Sequence, residues 1–172
     1  LTWIGGVSFL SPQFGWACDA IVNFEIVLAN GEIVNANATS RSDLFTALKG
    51  GQNNFGIVTR FDLKAFPATK LWGGRIVYAP AAATDLLTAY AKLKTADNFD
   101  PYIAGWVTIR YNHSAALFNP VAILWYTKPE LKPGGMAEIT QVKPQIMNGM
   151  VEAPISQHTR NASLQVIASP RR

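Results

Sequence analysis

At 172 residues, with 49% apolar and 15% charged side chains, the chain suits one ordinary domain or parts of two, and general disorder is excluded. The formal charge of +4 is uneven: residues 1–68 carry four Lys/Arg against five Asp/Glu, residues 69–172 eleven against six. The basic residues are scattered except for Arg171-Arg172, and the longest apolar run, Val121 to Tyr126, is far below the roughly 20 residues of a membrane helix, so neither nucleic acid nor membrane is expected as a partner. A mildly basic second part reads first as a solvated surface and second as an attraction for an anionic substrate. The chain starts at Leu1 without a methionine or signal-type segment, as expected of a processed or partial chain.

In chain order, Ile21 to Ala29 alternates as a strand, with Val22, Phe24, Ile26 and Leu28 on one face. Asn30-Gly31 is the preferred pair for a type I′ turn, and Glu32 to Ala36 returns as the partner strand. Ser40-Arg41-Ser42-Asp43 supplies a capping residue and an acidic charge for a short helix through Lys49, which Gly50 stops at C′. Leu44, Ala47 and Leu48 form the expected buried face of that helix. Ile57 to Phe66 is the next strand, ended by Pro67, so the expected domains are 1–68 and 69–172. Beyond the boundary, Gly74 to Ala79 reads extended. Ala82 to Thr95 reads as a helix with Leu86, Tyr90 and Leu93 on one stripe, and Ile103 to Asn112 and Val121 to Thr127 read as strands. A loop around Pro129, Pro133, Gly134 and Gly135, a short helix and a strand over Gln145 to Glu152 complete the pattern. Ser156 to Ala168 is ambiguous.

Several chemistries find no foothold. There is no G-x-G-x-x-G opening a helix and no P-loop lysine motif. His113 and His158 lack any metal-ligand spacing and read as ordinary polar residues, and no metal site is expected. No G-x-S-x-G elbow exists, and Cys18, the single cysteine, precludes an intrachain disulfide or a zinc cluster. The sequons at Asn37, Asn112 and Asn161 are compatible with a glycosylated protein, and secretion is the favoured localisation.

What stands out is a series of glycine-rich segments. Gly5-Gly6-Val7-Ser8-Phe9-Leu10-Ser11-Pro12 is followed by Gly15-Trp16-Ala17-Cys18-Asp19 and by the strand ending in Asn30-Gly31. Asp43 to Gly51 and then Gly50-Gly51-Gln52-Asn53-Asn54-Phe55-Gly56-Ile57-Val58-Thr59 complete it. Glycine serves where the backbone needs positive φ or close approach by a partner. Two partners fit that pattern: a neighbouring strand, or an anion cradled by main-chain N–H groups. In order and spacing, the series resembles the second half of the FAD-binding domain (PCMH-type) of the vanillyl-alcohol-oxidase superfamily, nearest to the berberine-bridge-enzyme-like oxidases. The likeness is dense over residues 1 to about 68 and weaker afterwards.

The resemblance implies an α+β chain: the second half of a PCMH-type FAD-binding domain, then part of an antiparallel-sheet substrate domain with flanking helices. It implies FAD as cofactor. Gly5 and Gly6 would lie beside the flavin, Gly15 and Asp19 near the cofactor, and the backbone of Gly56, Ile57 and Val58 at its nucleotide end. The chain departs from the pattern at Ala20, where Asn is usual, and at Gln13, where many relatives carry a basic residue. The implied activity is hydride transfer from an alcohol, sugar, amine or secondary metabolite to flavin, with reoxidation by molecular oxygen. The main pyrophosphate loop and the residues that attach FAD covalently are expected outside these 172 residues, so the chain alone is expected to be inactive. No catalytic base is assigned. Trp106, Arg110, Tyr111, Trp125 and Tyr126 are candidate substrate-pocket walls, although sheet aromatics more often belong to a core. The alternative reading is a non-catalytic extracellular binding protein on the same scaffold. A third is a reductase using a nicotinamide donor on the same broad flavin fold.

Overall fold

The computed structural model describes residues 5–67, 69–113 and 115–160, leaving aside the side chain of Ala96. The Asn161 sequon, Ser114 of the Asn112 sequon, Arg171-Arg172 and the ambiguous stretch beyond residue 160 lie outside them; residues 155–160 are helical. The chain divides into two compact units, Leu1–Pro67 and Ala68–Arg172, each with its own core.

The first unit is a three-stranded antiparallel sheet in the order β2-β1-β3, formed by β1 (Ile21–Val27), β2 (Ile33–Asn37) and β3 (Ile57–Leu63). Two short helices accompany it, α1 (Ser11–Phe14) and α2 (Ser42–Leu48). Its core gathers Cys18, Ile21, Phe24, Ile26, Val34, Ala36, Phe45 and Leu48, with the Phe24 ring meeting Phe45 and Phe61 edge-on at 5.8 and 5.7 Å.

Two local expectations are corrected here. The β1–β2 turn is not type I′, because only Gly31 has positive φ (83°) while Asn30 does not. The Gly31 N–H donates to the Leu28 carbonyl and the Leu28 N–H to the Glu32 carbonyl, both at 2.9 Å. This is the pattern of a three-residue loop closed by a glycine bulge, which needs one left-handed residue rather than two. The Asn30 side chain takes up the Glu32 N–H at 3.0 Å. The second correction concerns β1, where a register irregularity against β3 between Ile21 and Asn23 buries Ile21 and turns Val22 outward. A bulge shifts the alternation by one residue, and no period-2 reading of the sequence detects that.

Helix α2 ends as expected, with Gly50 at φ 85° just past the cap residue Lys49. Its start does not use the predicted side-chain cap, since Arg41 occupies the N-cap in a left-handed conformation. Phe45 and Leu48 are its buried residues, and Leu44 and Ala47 are half-buried.

The second unit is a five-stranded antiparallel sheet. The order is β5-β6-β4-β7, with β8 also paired to β4. Its strands are β4 (Leu71–Tyr78), β5 (Ile103–Asn112), β6 (Leu117–Tyr126), β7 (Gln145–Asn148) and β8 (Val151–Ala153). Strand β6 begins earlier than its apolar run suggests and includes Pro120. That is tolerated because β4 pairs only from Val121 onward, leaving Pro120 with β5 as its single neighbour. The helices α3 (Ala83–Leu93) and α4 (Ala137–Gln141) cover one face of this sheet. Their core includes Ile76, Tyr78, Leu86, Ala89, Leu93, Leu124, Tyr126, Met136 and Ile139. Tyr90, placed on the α3 stripe by periodicity, is half-buried and its hydroxyl donates to the Gly105 carbonyl at 3.3 Å.

Candidate cofactor site

The two glycines at the start of the first unit are held by their carbonyls. The Cys18 N–H donates to the Gly5 carbonyl at 2.9 Å and the Ala17 N–H to that of Gly6 at 2.8 Å. Both glycines have positive φ, 92° and 80°. Their own N–H groups, and that of Val7, donate to no acceptor among the described residues. A run of bared amides in such a conformation is an anion- or carbonyl-binding concavity. Val7 and Trp16 are large and mostly exposed, at 63% and 58%, and they supply apolar surface next to it. The chemistry of this donor set therefore fits an FAD.

Gly15 and Asp19 form the brace of this segment. The Asp19 carboxylate accepts the Trp16 N–H at 2.9 Å, and the Asp19 N–H returns to the Trp16 carbonyl at the same distance. A Cβ on Gly15 would stand 2.8 Å from Asp19 Oδ2. Asp19 is thus a loop-capping carboxylate, and its effect on a ligand passes through the position of Ala17 and Cys18. Gly50 joins the group, since a Cβ there would come within 3.7 Å of the Gly5 nitrogen. The sequence singled out Gly50 as a helix stop, and its place beside Gly5 follows only from the fold.

Gly56, Ile57 and Val58 sit at the start of β3. A Cβ on Gly56 would lie 2.3 Å from the Val27 carbonyl oxygen, so this glycine is required by the close passage of β1. Ile57 and Val58 pair with Val27 and Ile26; Val58 packs on the core and Ile57 is 69% exposed. β3 is an edge strand of the described sheet, so no strand pairs its outer side. The structure brings Gly5 and Gly6 to Gly15, Asp19 and Gly50.

In the second unit, Trp106, Arg110 and Trp125 share the sheet face away from the helices. Tyr126 does not, being buried at 4% in the helix-side core, and Tyr111 alternates to that same side, where it meets Phe118 at 5.0 Å and His113 at 4.8 Å. Both tyrosines leave the set of pocket walls, because each stands an odd number of positions from its strand's face-lining tryptophan. A ring nitrogen of His158 lies 3.1 Å from the Leu71 carbonyl, a structural contact. Among the described residues no group of three potential metal ligands occurs. Clefts of about 270 and 330 Å³ flank α4, and neither contains a sequence-predicted site residue.

No family model matches the chain. It is 38% identical over 140 residues to the FAD-dependent monooxygenase prx3 of Penicillium roqueforti, covering 80% of this chain and 27% of that protein. It is 39% identical over 128 residues to a protein named Oligopeptidase PhomG' of Diaporthe leptostromiformis, covering 74% of this chain but 11% of that one. Among solved structures, the carbohydrate oxidase of Microdochium nivale superposes with a TM-score of 0.67 at 28% identity, over 89% of this chain and 33% of the other. The 6-hydroxy-D-nicotine oxidase of Arthrobacter nicotinovorans superposes with a TM-score of 0.79 at 21% identity, over 100% of this chain and 38% of the other. The fold is that of the vanillyl-alcohol-oxidase-type flavoproteins. With the sequence relatives added, the chain is similar, in sequence and in fold, to a set of FAD-dependent enzymes. It spans between 11% and 29% of the length of the relatives it matches.

Proposed function

We propose that the protein is an FAD-dependent oxidoreductase that oxidises a small molecule (an alcohol, sugar, amine or secondary metabolite) and passes the electrons to molecular oxygen. The observation that carries this reading is the bared amide run at Gly5, Gly6 and Val7, held open by the carbonyl bonds to Cys18 and Ala17. When bound, the flavin supplies a two-electron acceptor, and the protein's task is to hold and orient it. Gly5, Gly6 and Val7 would hold it through their main-chain N–H groups. The Gly15–Asp19 loop, braced by the Asp19 carboxylate, keeps that strip in place, while Trp16 and Val7 exclude water. The backbone of Gly56, Ile57 and Val58, at the start of an edge strand, is proposed for the nucleotide end on the family resemblance alone.

The test is the visible spectrum of the purified full-length protein, with oxygen consumption measured in the absence of a nicotinamide donor. A yellow protein that consumes oxygen with an oxidisable substrate supports the reading. A colourless preparation that also fails to take up added FAD overturns it. Secretion belongs to the same proposal and is supported by the sequons; a glycosidase-induced mobility shift of the native protein would test it.

A further inference from the structure

The helix-covered side of the second unit contains a cleft of about 330 Å³, framed by α4, the loop that precedes it and the β7–β8 connection. It lies on the opposite side of the sheet from Trp106, Arg110 and Trp125. Its floor is Trp72, a 7% exposed member of the helix-side core, and Pro133, Ala137 and Met150 add apolar walls. Lys132, Thr140, Gln141 and Asn148 supply the polar lining. Such a volume is at the small end for ligand sites and suits one substituted ring rather than a dinucleotide.

Three observations mark the cleft as a binding site. Lys132 adopts φ 53°, and a left-handed backbone is costly for a lysine, above all directly before a proline such as Pro133. Strain of this kind gathers at ligand clamps, where the surrounding structure enforces it. Second, Lys132 is the one charged residue among the described residues that line the cleft. It forms no salt bridge with any of them, and the lining holds no carboxylate. Third, the polar groups are fixed in place but keep bonding capacity. Asn148 donates to Gln145 Oε1 and accepts the Met150 N–H, both at 3.1 Å. Gln145 in turn donates to the Thr140 and Val142 carbonyls at the end of α4. The Thr140 hydroxyl donates to the Met136 carbonyl at 2.8 Å, which leaves its oxygen able to accept, and the Gln141 carboxamide bonds to no described residue.

From this we infer that the cleft binds a hexuronic acid, a sugar ring carrying one carboxylate. The carboxylate meets the Lys132 ammonium, ring hydroxyls bond to the Gln141 and Asn148 carboxamides and donate to Thr140 Oγ1, and the C–H face of the ring rests on Trp72 and Met150. A neutral sugar leaves Lys132 without a counter-charge, and a plain carboxylic acid leaves the three uncharged polar groups unused. Binding here involves no flavin, so the inference stands apart from the oxidoreductase reading.

The test uses the full-length protein, titrated at constant ionic strength with sodium D-galacturonate, D-galactose and sodium benzoate and followed by ligand-observed NMR. Galacturonate should bind about 5- to 20-fold more tightly than either control. Lys132→Gln should bring galacturonate down to the level of galactose, and Gln141→Ala should weaken both sugars alike. Ala137→Leu fills the cleft with a good helix former, and should abolish galacturonate binding while the thermal transition stays that of the parent. Equal binding of galacturonate and galactose, equal binding of benzoate, or a Lys132→Gln variant indistinguishable from the parent would each overturn the inference. So would undiminished binding by a folded Ala137→Leu variant, or a parent protein that binds no galacturonate because another segment fills the cleft. Flavin absorbance is read on the same samples. Bound flavin without a galacturonate preference sinks only this inference, whereas Lys132-dependent galacturonate binding by a protein unable to take up FAD sinks only the oxidoreductase reading.

Discussion

Tyr78→Phe tests how the second unit is held together. The Tyr78 ring is wholly buried on β4, and its hydroxyl donates to the Ile139 carbonyl on α4 at 2.8 Å. Phenylalanine keeps the ring and removes that bond, at a cost of about 1–2 kcal/mol near neutral pH. Burial also pushes the Tyr78 phenol up from 10.0 to about 12. The folded state therefore keeps this proton more tightly than the unfolded chain. The resulting stability is fully present below pH about 10 and is lost as pH rises through 12, the loss levelling off at about 2.7 kcal/mol above that pH. The variant lacks this loss, so the parent's advantage should shrink above pH 10 and vanish near pH 11. Tyr90 and Tyr126 are also raised, chiefly by burial, so part of the alkaline destabilisation persists in the variant. Urea unfolding followed by tryptophan fluorescence, at neutral pH and in steps through the alkaline range, measures both effects. A stability difference that stays constant with pH, or a variant equal to the parent at pH 7, would refute the reasoning.

Gly56→Ala places a Cβ 2.3 Å from the Val27 carbonyl at φ 142°, where the obstacle is backbone that cannot step aside. A loss of about 3 kcal/mol or more is expected in the first unit, seen as an earlier thermal transition. Gly5→Ala forces a side chain into φ 92°, with an expected penalty of about 1–2 kcal/mol. It should appear as roughly tenfold weaker FAD retention in the full-length protein, measured by flavin release on dilution. Expressed alone, the 172-residue chain should self-associate in light scattering, because edge strands β2 and β3 expose Ile33 at 66% and Ile57 at 69%.

The strongest local signals matched what folded. The strand at Ile21, the helix stopped by Gly50, the strand over Ile103 to Asn112 and the α3 stripe are set by periodicity and turn chemistry within a few residues of chain. The misses were tertiary. Val22 faces outward because pairing with β3 introduces an irregularity, and Arg41 rather than a serine caps α2. Tyr126 belongs to the core because α3 and α4 cover its side of the sheet.

For the site, the residues alone were enough to mark glycine-rich segments in a family-like order, since conformational freedom is a property of the amino acid. Which of these glycines a neighbouring strand requires was decided by the fold: a Cβ on Gly56 would meet the Val27 carbonyl, whereas the Gly5 and Gly6 amides find no acceptor among the described residues. The meeting of Arg110 with Trp106 and Trp125 on one sheet face likewise depends on register across two strands. Register arises from pairing between distant segments, and a linear sequence carries no direct record of it.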